Sequence, residues 1–310
     1  MQIISDSLGT AKKYVGNKQI FFPLNPEQLK GSAPGLLSIL SDKDNFFTSE
    51  FAEESFFKYF FIIGYSKESQ FEAMQNFLSK HSDYNYPSIL VAHEGENFRG
   101  QHNRNWEALA GNLHLVLFFQ PNVEINSSNS TSFNIISSVS LIETLDEIQG
   151  LEGAAKTKWI NDILIEGSKV AGCIAQSNIQ EDLIQSVVLG IGLNVENSPK
   201  LPESAIQRAT TSLREHQKNA DICNLESILK ILLQKIKKNY EDILNSDHKY
   251  MLDLYIKRNA VLGKKVAIHP AFNETSDLKT GVVERIGEDL SLYLDSEKEP
   301  ITSGRLVILD

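Results

Sequence analysis

Three short segments combine cations, glycines and amides in a way that suits an anionic ligand. Residues 98–106 read Phe-Arg-Gly-Gln-His-Asn-Arg-Asn-Trp, residues 158–172 begin Lys-Trp-Ile-Asn-Asp and end Lys-Val-Ala-Gly, and residues 190–194 read Gly-Ile-Gly-Leu-Asn. Arginine forks and loop amides bind phosphate, a lysine supplies a point charge, and glycine lets backbone approach a flat ligand closely. Each segment alone is weak evidence, but together and in this order they predict one anion-binding site.

The common catalytic and metal-binding signatures are absent from the sequence. It contains no GxSxG nucleophile elbow, no GxxxxGK[ST] phosphate loop, no HExxH zinc motif and no GxGxxG followed by a helix. Cys173 and Cys223 are too far apart for a CxxC pair, and no histidine pair at ligand spacing accompanies them. We therefore expect two free, buried thiols in a reducing compartment.

Composition limits the classes of function. The chain has 310 residues, 41% of them hydrophobic, and 30 Lys+Arg against 40 Asp+Glu give a net charge of −10. A charge of this sign does not draw the whole molecule to nucleic acid or to an anionic membrane. No apolar run approaches the roughly 18 residues of a membrane span, and the N-terminus lacks the order of a signal peptide. We expect a cytoplasmic protein without a membrane partner.

Hydrophobic spacing predicts an α+β protein. Helical spacing covers residues 68–79, 133–148, 225–244 and 250–259, and strand-like runs cover 88–93, 112–120, 156–160, 169–176 and 184–195. Residues 94–106 show neither helical nor strand-like spacing, so we predict a loop there. Residues 122–132 are rich in Asn and Ser, and we predict a connector. After Leu262 short β-like runs alternate with Gly, Asn and Asp turns. We predict three units: an N-terminal extension of unknown role (1–50), a catalytic domain (51–260) and a separable β module (261–310).

The order and spacing of these segments resemble the biotin protein ligase (holocarboxylase synthetase) family from about Phe61 to the C-terminus. The family's Gly-Arg-Gly-Arg-x-x-[Arg/Asn]-x-Trp loop is matched by Arg99, Gly100, Arg104 and Trp106. Its Lys-Trp-Pro-Asn-Asp segment is matched by Lys158, Trp159, Asn161 and Asp162. Its Lys-[Val/Leu]-Ala-Gly and Gly-Ile-Gly-x-Asn strands are matched by residues 169–172 and 190–194.

The resemblance implies a fold and a reaction. The fold would be a class II synthetase-like catalytic domain, a mixed sheet flanked by helices, with a small C-terminal SH3-like β-barrel. The reaction would join biotin to Mg-ATP as biotinyl-5'-AMP and then transfer biotin to a lysine of a biotin carboxyl carrier domain. ATP and biotin would be substrates, Mg²⁺ would assist, and a biotin-dependent carboxylase would be the partner.

The resemblance also implies roles for single residues. Two residues would be catalytic, Lys169 and Arg99. Lys169 would contact the biotin carboxylate and the α-phosphate, and Arg99 together with Gly100 would cover the adenylate. Asp162 would serve as a Mg²⁺ ligand beside Asn161, and Ser69 and Gln70 would hydrogen-bond the ureido group. The other implied binding residues are Gln101, Arg104, Trp106, Asn112, Lys158, Gly172, Gly190, Gly192 and Asn194.

The chain departs from the family's pattern at four positions. Phe98 replaces the first loop glycine, Gln101 replaces the second loop arginine, and Ile160 replaces the proline after Trp159. Gly95 replaces a glutamine and stands between Glu94 and Glu96, which predicts two acidic side chains near an anionic ligand. Loss of a charge-assisted hydrogen bond at Gln101 would cost roughly 1.5–3 kcal/mol. A weakened ligase is therefore a second hypothesis.

Three alternatives stay open at this stage. One is a lipoyl or octanoyl transferase, which resembles this family in its catalytic fold, and another is a relative that binds biotin or adenylate without transfer. The third is a DNA-binding repressor, since some family members carry an N-terminal winged helix. Residues 1–60 hold six lysines and no arginine against seven acids, so no basic recognition helix is evident. We expect no nucleic-acid partner.

Overall fold

The computed structural model describes residues 1–51, 55–101, 104–200, 209–270 and 278–309. Its main sheet contains β1 (Gln2–Ser5), β2 (Phe22–Leu24), β3 (Phe46–Glu50), β4 (Tyr59–Ser66), β5 (Ser88–Gly95), β6 (Leu113–Phe119), β7 (Val123–Glu124), β8 (Lys156–Lys158), β9 (Asp162–Ile165), β10 (Ser168–Gln180) and β11 (Leu183–Leu193). The strand order is β2-β3-β1-β4-β5-β6-β11-β10-β9-β8, with β7 against β11. β1, β4 and β5 run parallel to one another. In the rest of the sheet, from β5 through β6, β11, β10 and β9 to β8, each strand is antiparallel to the next.

Helices cover both faces of this sheet. They are α1 (Leu8–Val15), α2 (Ala33–Leu40), α3 (Gln70–Lys80), α4 (Ser127–Asp146), α5 (Leu213–His216), α6 (Leu225–Leu244) and α7 (Lys249–Lys257), with a 3-10 turn at Pro26–Gln28. All seven residues of β6 are buried, as expected for a central strand covered on both faces. None of the helices in the described ranges combines the length and apolarity needed to cross a membrane.

The helix predicted over 225–244 is confirmed without change as α6, but the connector predicted over 122–132 is wrong in its second half. Helix α4 begins at Ser127 because the side chain of Asn126 accepts a hydrogen bond from the backbone N–H of Asn129 at 2.7 Å. Asparagine is favoured at this capping position although it is a weak helix former inside a helix. The apolar spacing, which begins at residue 133, therefore identified only the part of α4 that faces the core and missed its polar first turns.

Residues 1–50 share the sheet of the segment that follows them. β1 pairs in parallel with β4 and antiparallel with β3. The buried carboxylate of Asp6 fixes this arrangement, because it accepts hydrogen bonds from Ser41 Oγ at 2.7 Å and from the Gly64 N–H at 2.8 Å. The sheet thus runs across the predicted boundary at residue 50, and the role of the N-terminal residues is at least structural.

The C-terminal residues form a second, four-stranded antiparallel sheet. It contains β12 (Lys265–His269), β13 (Lys279–Ile286), β14 (Leu292–Leu294) and β15 (Arg305–Ile308), in the order β14-β13-β12-β15. Apolar side chains of this module, including Val266 and Val283, belong to the same hydrophobic cluster as α4 and α6. Trp159 Nε1 also donates to the Leu290 carbonyl at 2.7 Å. The shared core argues against a freely separable module.

Candidate functional site

The three predicted segments line one cavity of about 530 Å³. It lies on the strands β10 and β11 and is bounded by the start of α3, by residues 98–101 and 104–107, and by Arg305 of the C-terminal module. All but one of the predicted site residues line it: Ser69, Gln70, Arg99, Gly100, Gln101, Arg104, Trp106, Lys158, Asn161, Asp162, Lys169, Gly172, Gly190, Gly192 and Asn194. The structure thus brings them together, and their individual roles remain predictions.

The exception is Asn112. Its side chain is buried beside the cavity, where Oδ1 accepts from the backbone N–H groups of Val195, Glu196 and Asn197 at 3.0, 3.2 and 3.1 Å. Its Nδ2 donates to the Asn197 carbonyl at 2.8 Å. Asn112 does not line the cavity, so the expectation of a ligand contact is corrected. It instead holds the turn that follows β11, because its carboxamide satisfies several backbone groups that would otherwise lack partners.

Two paired glycines form the floor of the cavity. Gly172 on β10 and Gly192 on β11 are register partners, and the indole of Trp106 lies over them. A Cβ added at Gly192 would come within 2.4 Å of Trp106 Cζ2, and one at Gly172 would lie 3.5 Å from Cζ3. Glycine at residue 192 is therefore required for the close approach of the ring.

The segment that contributes Trp106 forms a narrow arm, consisting of residues 98–101 and 104–106. The Trp106 N–H donates to the Phe98 carbonyl at 2.9 Å, and the Gly100 N–H donates to the Arg104 carbonyl at 2.7 Å. The Arg99 guanidinium bonds the Asn105 carboxamide. His102 and Asn103 lie outside the described residues. The loop predicted over 94–106 is confirmed for the described residues after β5, with an isolated β-bridge between Arg99 and Asn105 inside the arm.

Two of the departures from the family pattern, Gly95 and Phe98, form one structural feature. The Phe98 ring is buried and packs with Ala92 and Ala108. A Cβ at Gly95 would come within 2.6 Å of this ring and within 2.3 Å of the Ser66 carbonyl. The ring of Phe98 therefore occupies space that a longer side chain at residue 95 would need.

The acidic side chains predicted near the ligand lie elsewhere. Glu94 and Glu96 are exposed and do not line the cavity. The expectation of two acidic side chains near the ligand is therefore wrong, because neither residue belongs to the cavity lining.

The electrostatic centre of the cavity is Asp162. Its Oδ1 lies 2.6 Å from Lys169 Nζ, and its Oδ2 lies 3.8 Å from Lys158 Nζ. Burial pushes the pKa of Asp162 upward, but the two lysines, aided by Arg104, outweigh it and hold the pKa below its usual range. The carboxylate therefore stays ionised and fixes both ammonium groups on one side of the cavity.

The cavity is cationic although the chain as a whole is acidic. Among the described residues, five cations line it (Arg99, Arg104, Lys158, Lys169 and Arg305) against the carboxylates of Glu107 and Asp162. This excess suits a polyanionic ligand such as a nucleotide phosphate, since cations in a cleft concentrate anions there.

Gln70, which also lines the cavity, lies in an unusual environment. Its side chain is 1% exposed, and both Oε1 and Nε2 lack a hydrogen-bond partner within the described structure. A buried carboxamide without partners costs free energy, so a ligand that both donates and accepts hydrogen bonds would relieve a deficit here. Ser69, also buried, precedes it at the start of α3.

A resident magnesium site does not fit these residues. Among the described residues, no three His, Cys, Asp or Glu side chains lie together as a metal-binding group. The carboxylate of Asp162 already accepts from Lys169 and lies near Lys158. The expectation that Asp162 is a Mg²⁺ ligand stays a prediction. Any Mg²⁺ would enter as part of the Mg-ATP substrate.

Among the cavity-lining residues that sequence reasoning missed are His114 and Arg305. His114 is the single polar residue in the run Leu113–Phe119, and a polar side chain in a buried strand was a usable signal. Arg305 gave no signal, because the packing of the C-terminal module against the cavity depends on contacts distant in sequence. Burial lowers the pKa of Arg305, which Arg104 lowers further and Asp162 raises.

Comparison with known proteins shows what part of the chain is similar to a known family. Residues 64–194 match the model of the Biotin/lipoate A/B protein ligase family. The bifunctional ligase/repressor BirA of Bacillus subtilis is 26% identical over 158 residues, which cover 51% of this chain and 47% of that protein. The biotin–[acetyl-CoA-carboxylase] ligase of Paracoccus denitrificans is 31% identical over 110 residues, covering 36% of this chain and 45% of that one. The chain spans about half the length of these curated relatives.

Solved structures show the same fold. The biotin protein ligase of Aquifex aeolicus, in complex with biotin and ATP, superimposes with a TM-score of 0.60 at 21% identity, covering 81% of this chain and 98% of that one. The fold is therefore that of a biotin ligase catalytic domain, a mixed sheet with flanking helices, followed by a small SH3-like β module. Residues 64–194 are thus similar to the Biotin/lipoate A/B protein ligase family, and the curated relatives that the chain matches are biotin ligases. The expected fold is confirmed, and so is the expected resemblance to biotin protein ligases.

Proposed function

We propose that this protein is an ATP-dependent biotin protein ligase, which forms biotinyl-5'-AMP and transfers biotin to a lysine of a biotin carboxyl carrier domain. The observation that carries the proposal is the pairing, in one cavity, of the unpartnered Gln70 carboxamide with a cluster of cations around Lys169. Biotin has a ureido group at one end and a carboxylate at the other. Gln70 can serve the first and Lys169 the second.

In the first step the biotin carboxylate and the α-phosphate of ATP, both anionic, must be held close together in a reactive orientation. A carboxylate oxygen of biotin attacks the α-phosphorus of ATP, the bond to the pyrophosphate oxygen breaks, and pyrophosphate leaves. Lys169, fixed by Asp162 at 2.6 Å, would neutralise the carboxylate and the α-phosphate as they approach. Lys158, Arg104 and Arg305 line the same cavity and would stabilise the negative charge of the remaining phosphates.

The second step transfers the acyl group. The amine of the carrier lysine attacks the carbonyl carbon of biotinyl-5'-AMP, the bond between that carbon and the phosphate oxygen breaks, and AMP leaves. The arm that ends at Trp106 would cover the adenylate between the steps, while its indole rests on the glycine floor. Exclusion of water protects such a reactive intermediate.

Gln70 favours biotin over the acids of the lipoyl branch. A lipoyl or octanoyl group would put a dithiolane or an alkyl chain beside the carboxamide and leave both of its polar atoms without partners. A ureido group offers both N–H donors and a carbonyl acceptor. The same cavity therefore supports biotin better than lipoate or octanoate.

The test is pyrophosphate release from ATP with biotin, lipoate or octanoate, followed by mass analysis of a carrier domain. We expect release with biotin and a biotinylated carrier. Lys169→Ala should abolish release while the far-UV circular dichroism stays unchanged. Lys156→Ala removes the same charge from an exposed position on β8 outside the cavity and is the matched control.

Three outcomes would contradict the proposal. Release with lipoate but not biotin would place the protein in the other branch of the family. Binding of biotin without pyrophosphate release would identify a non-catalytic relative. Near-normal release by a folded Lys169→Ala protein would remove Lys169 from the mechanism.

A further inference from the structure

A buried histidine, His114, lies under the arm with both ring nitrogens engaged. Trp106 Nε1 donates to His114 Nδ1 at 3.2 Å, and His114 Nε2 lies 3.1 Å from the Leu109 carbonyl. A carbonyl can only accept a hydrogen bond, so Nε2 carries the proton and Nδ1 is the acceptor for the indole. The hydrogen-bond network thus specifies one neutral tautomer, in which His114 links the arm to the backbone before β6.

The same imidazole contacts the arm at its other end. The rings of Phe98 and His114 meet edge to face, with centroids 5.6 Å apart and planes at 67°. Phe98 and Trp106 are joined to each other by a backbone hydrogen bond of 2.9 Å. His114 therefore touches both aromatic residues that begin and end the arm, and it does so from a side chain that is only 4% exposed.

Trp106 carries this constraint to the centre of the cavity. Its indole lies over Gly172 and Gly192, and Lys169 Nζ is 5.5 Å from the centroid of the ring. A rotation of the indole would open the floor of the cavity and remove a neighbour of Lys169. The hydrogen bond to His114 fixes that rotation, because the indole has a single N–H donor.

We propose that His114 is the positioning residue of the arm, which acts through Trp106 to set the wall of the cavity beside Lys169. The inference rests on the proposed function for its effect on catalysis, but the effect on the indole is independent of it. His114 moves no proton and contacts no reacting atom in this assignment. Its neutral imidazole accepts a hydrogen bond from Trp106, donates one to the Leu109 carbonyl and packs against the ring of Phe98.

Two nearly isosteric variants separate these contributions. His114→Asn places a carboxamide oxygen near the position of Nδ1 and keeps an acceptor for Trp106. His114→Gln extends its carboxamide toward the position of Nε2, keeps a donor for Leu109 and loses the acceptor. The chain has two tryptophans, so the emission of Trp106 is obtained by subtracting the spectrum of Trp106→Phe. It is recorded without substrates, alongside KM for biotin and kcat.

We expect His114→Asn to keep the Trp106 emission and a KM within about threefold of wild type. His114→Gln should shift the emission to longer wavelength and raise KM about tenfold or more, with a smaller change in kcat, since an indole released from its acceptor is more mobile and wetter. In the Trp106→Phe background, both variants should have no further effect on KM.

The inference would be overturned if the Asn and Gln variants had equal Trp106 emission spectra. It would also be overturned if the effects of His114→Gln and Trp106→Phe on KM were additive. If His114→Gln does not fold, the emission of the Asn variant decides, because loss of the wild-type spectrum there would contradict the role of the acceptor. A wild type that releases no pyrophosphate with biotin would defeat the proposed function. The emission comparison would still show whether His114 fixes Trp106.

Discussion

Asp162 and Lys169 form an ion pair of 2.6 Å in which the carboxylate and the ammonium group are both largely withdrawn from solvent, with exposures of 15% and 27%. The pair spans β9 and β10, so each strand brings one partner to the cavity. The ammonium group is thereby held at a defined place before a ligand arrives. This preorganisation matters because a lysine side chain loses considerable rotamer freedom when it is fixed.

Asp162→Asn should slow pyrophosphate release about tenfold or more while the protein stays folded. The substitution keeps the shape of the side chain but removes the charge that holds Lys169, and a charge-assisted hydrogen bond of this kind is worth about 1.5–3 kcal/mol. Asp182→Asn, at an exposed position between β10 and β11, is the matched control. A rate within twofold of wild type for Asp162→Asn would show that Lys169 needs no partner to work.

Gly192→Ala should displace Trp106 and weaken biotin binding. The new Cβ would lie 2.4 Å from the indole, which is far inside contact distance, so the ring or the strand must move. We expect KM for biotin to rise about tenfold and the free energy of unfolding to fall by about 1–3 kcal/mol. Urea unfolding and steady-state kinetics measure these changes.

The control for that substitution is Gly9→Ala. Gly9 lies within α1, and a Cβ added there meets no atom within 4 Å. Alanine is the better helix former by about 1 kcal/mol, so Gly9→Ala should be neutral or stabilising. An equal loss of stability in both variants would mean that the contact with Trp106 is not the cause.

His114 should make the stability of the protein depend on pH below neutrality. Burial lowers the pKa of His114 to about 4 from its ordinary 6.5, the hydrogen bond to Leu109 opposes this shift, and His93 adds to it. Between pH 6.5 and pH 4 the unfolded chain therefore binds a proton that the folded protein refuses. The free energy of unfolding falls as pH drops through this window, by roughly 3 kcal/mol in total from this residue.

The measurement is urea unfolding at several values of pH from 7 to 4, for wild type and for His114→Asn. The pKa of His93 is also lowered, chiefly by burial, so wild type carries a second contribution of the same sign. We expect a shallower dependence in His114→Asn, because the contribution of His114 is then absent while that of His93 remains. Parallel curves for the two proteins would mean that His114 is protonated as easily in the folded state as in the unfolded one.

Gln101→Arg should slow the dissociation of biotinyl-5'-AMP about tenfold and reduce the labelling of bystander proteins when carrier is scarce. Gln101 lines the cavity as a neutral donor where the family pattern has arginine, and a charged donor binds phosphate more strongly. Glu96 is exposed and lies outside the cavity lining, which leaves it poorly placed to capture the new charge.

Gln180→Arg adds the same charge at an exposed position on β10 outside the cavity lining and is the matched control. Dissociation is followed by rapid mixing with a carrier domain or by dilution of preformed adenylate. If wild type releases the adenylate as slowly as Gln101→Arg, this position does not govern retention.

The sequence by itself determined the local elements and the composition of the site. Helix α6 was predictable to the residue because its apolar stripe repeats at helical spacing and Asn224 caps it. The residues of the cavity were also predictable as a set, since glycines, lysines and arginines occur in short segments whose spacing is local. These features depend on neighbours within a few positions of the chain.

Only the tertiary structure decided how those pieces meet. The insertion of β1 between β3 and β4, the exclusion of Asn112 from the cavity and the approach of Arg305 to it all depend on contacts between residues far apart in sequence. The direction of a side chain follows from strand register, and a shift of one residue would turn Lys169 away from Asp162. Sequence spacing supplies the chemical groups, whereas a distance such as the 2.6 Å between Asp162 and Lys169 is set by the register in which β9 and β10 pair.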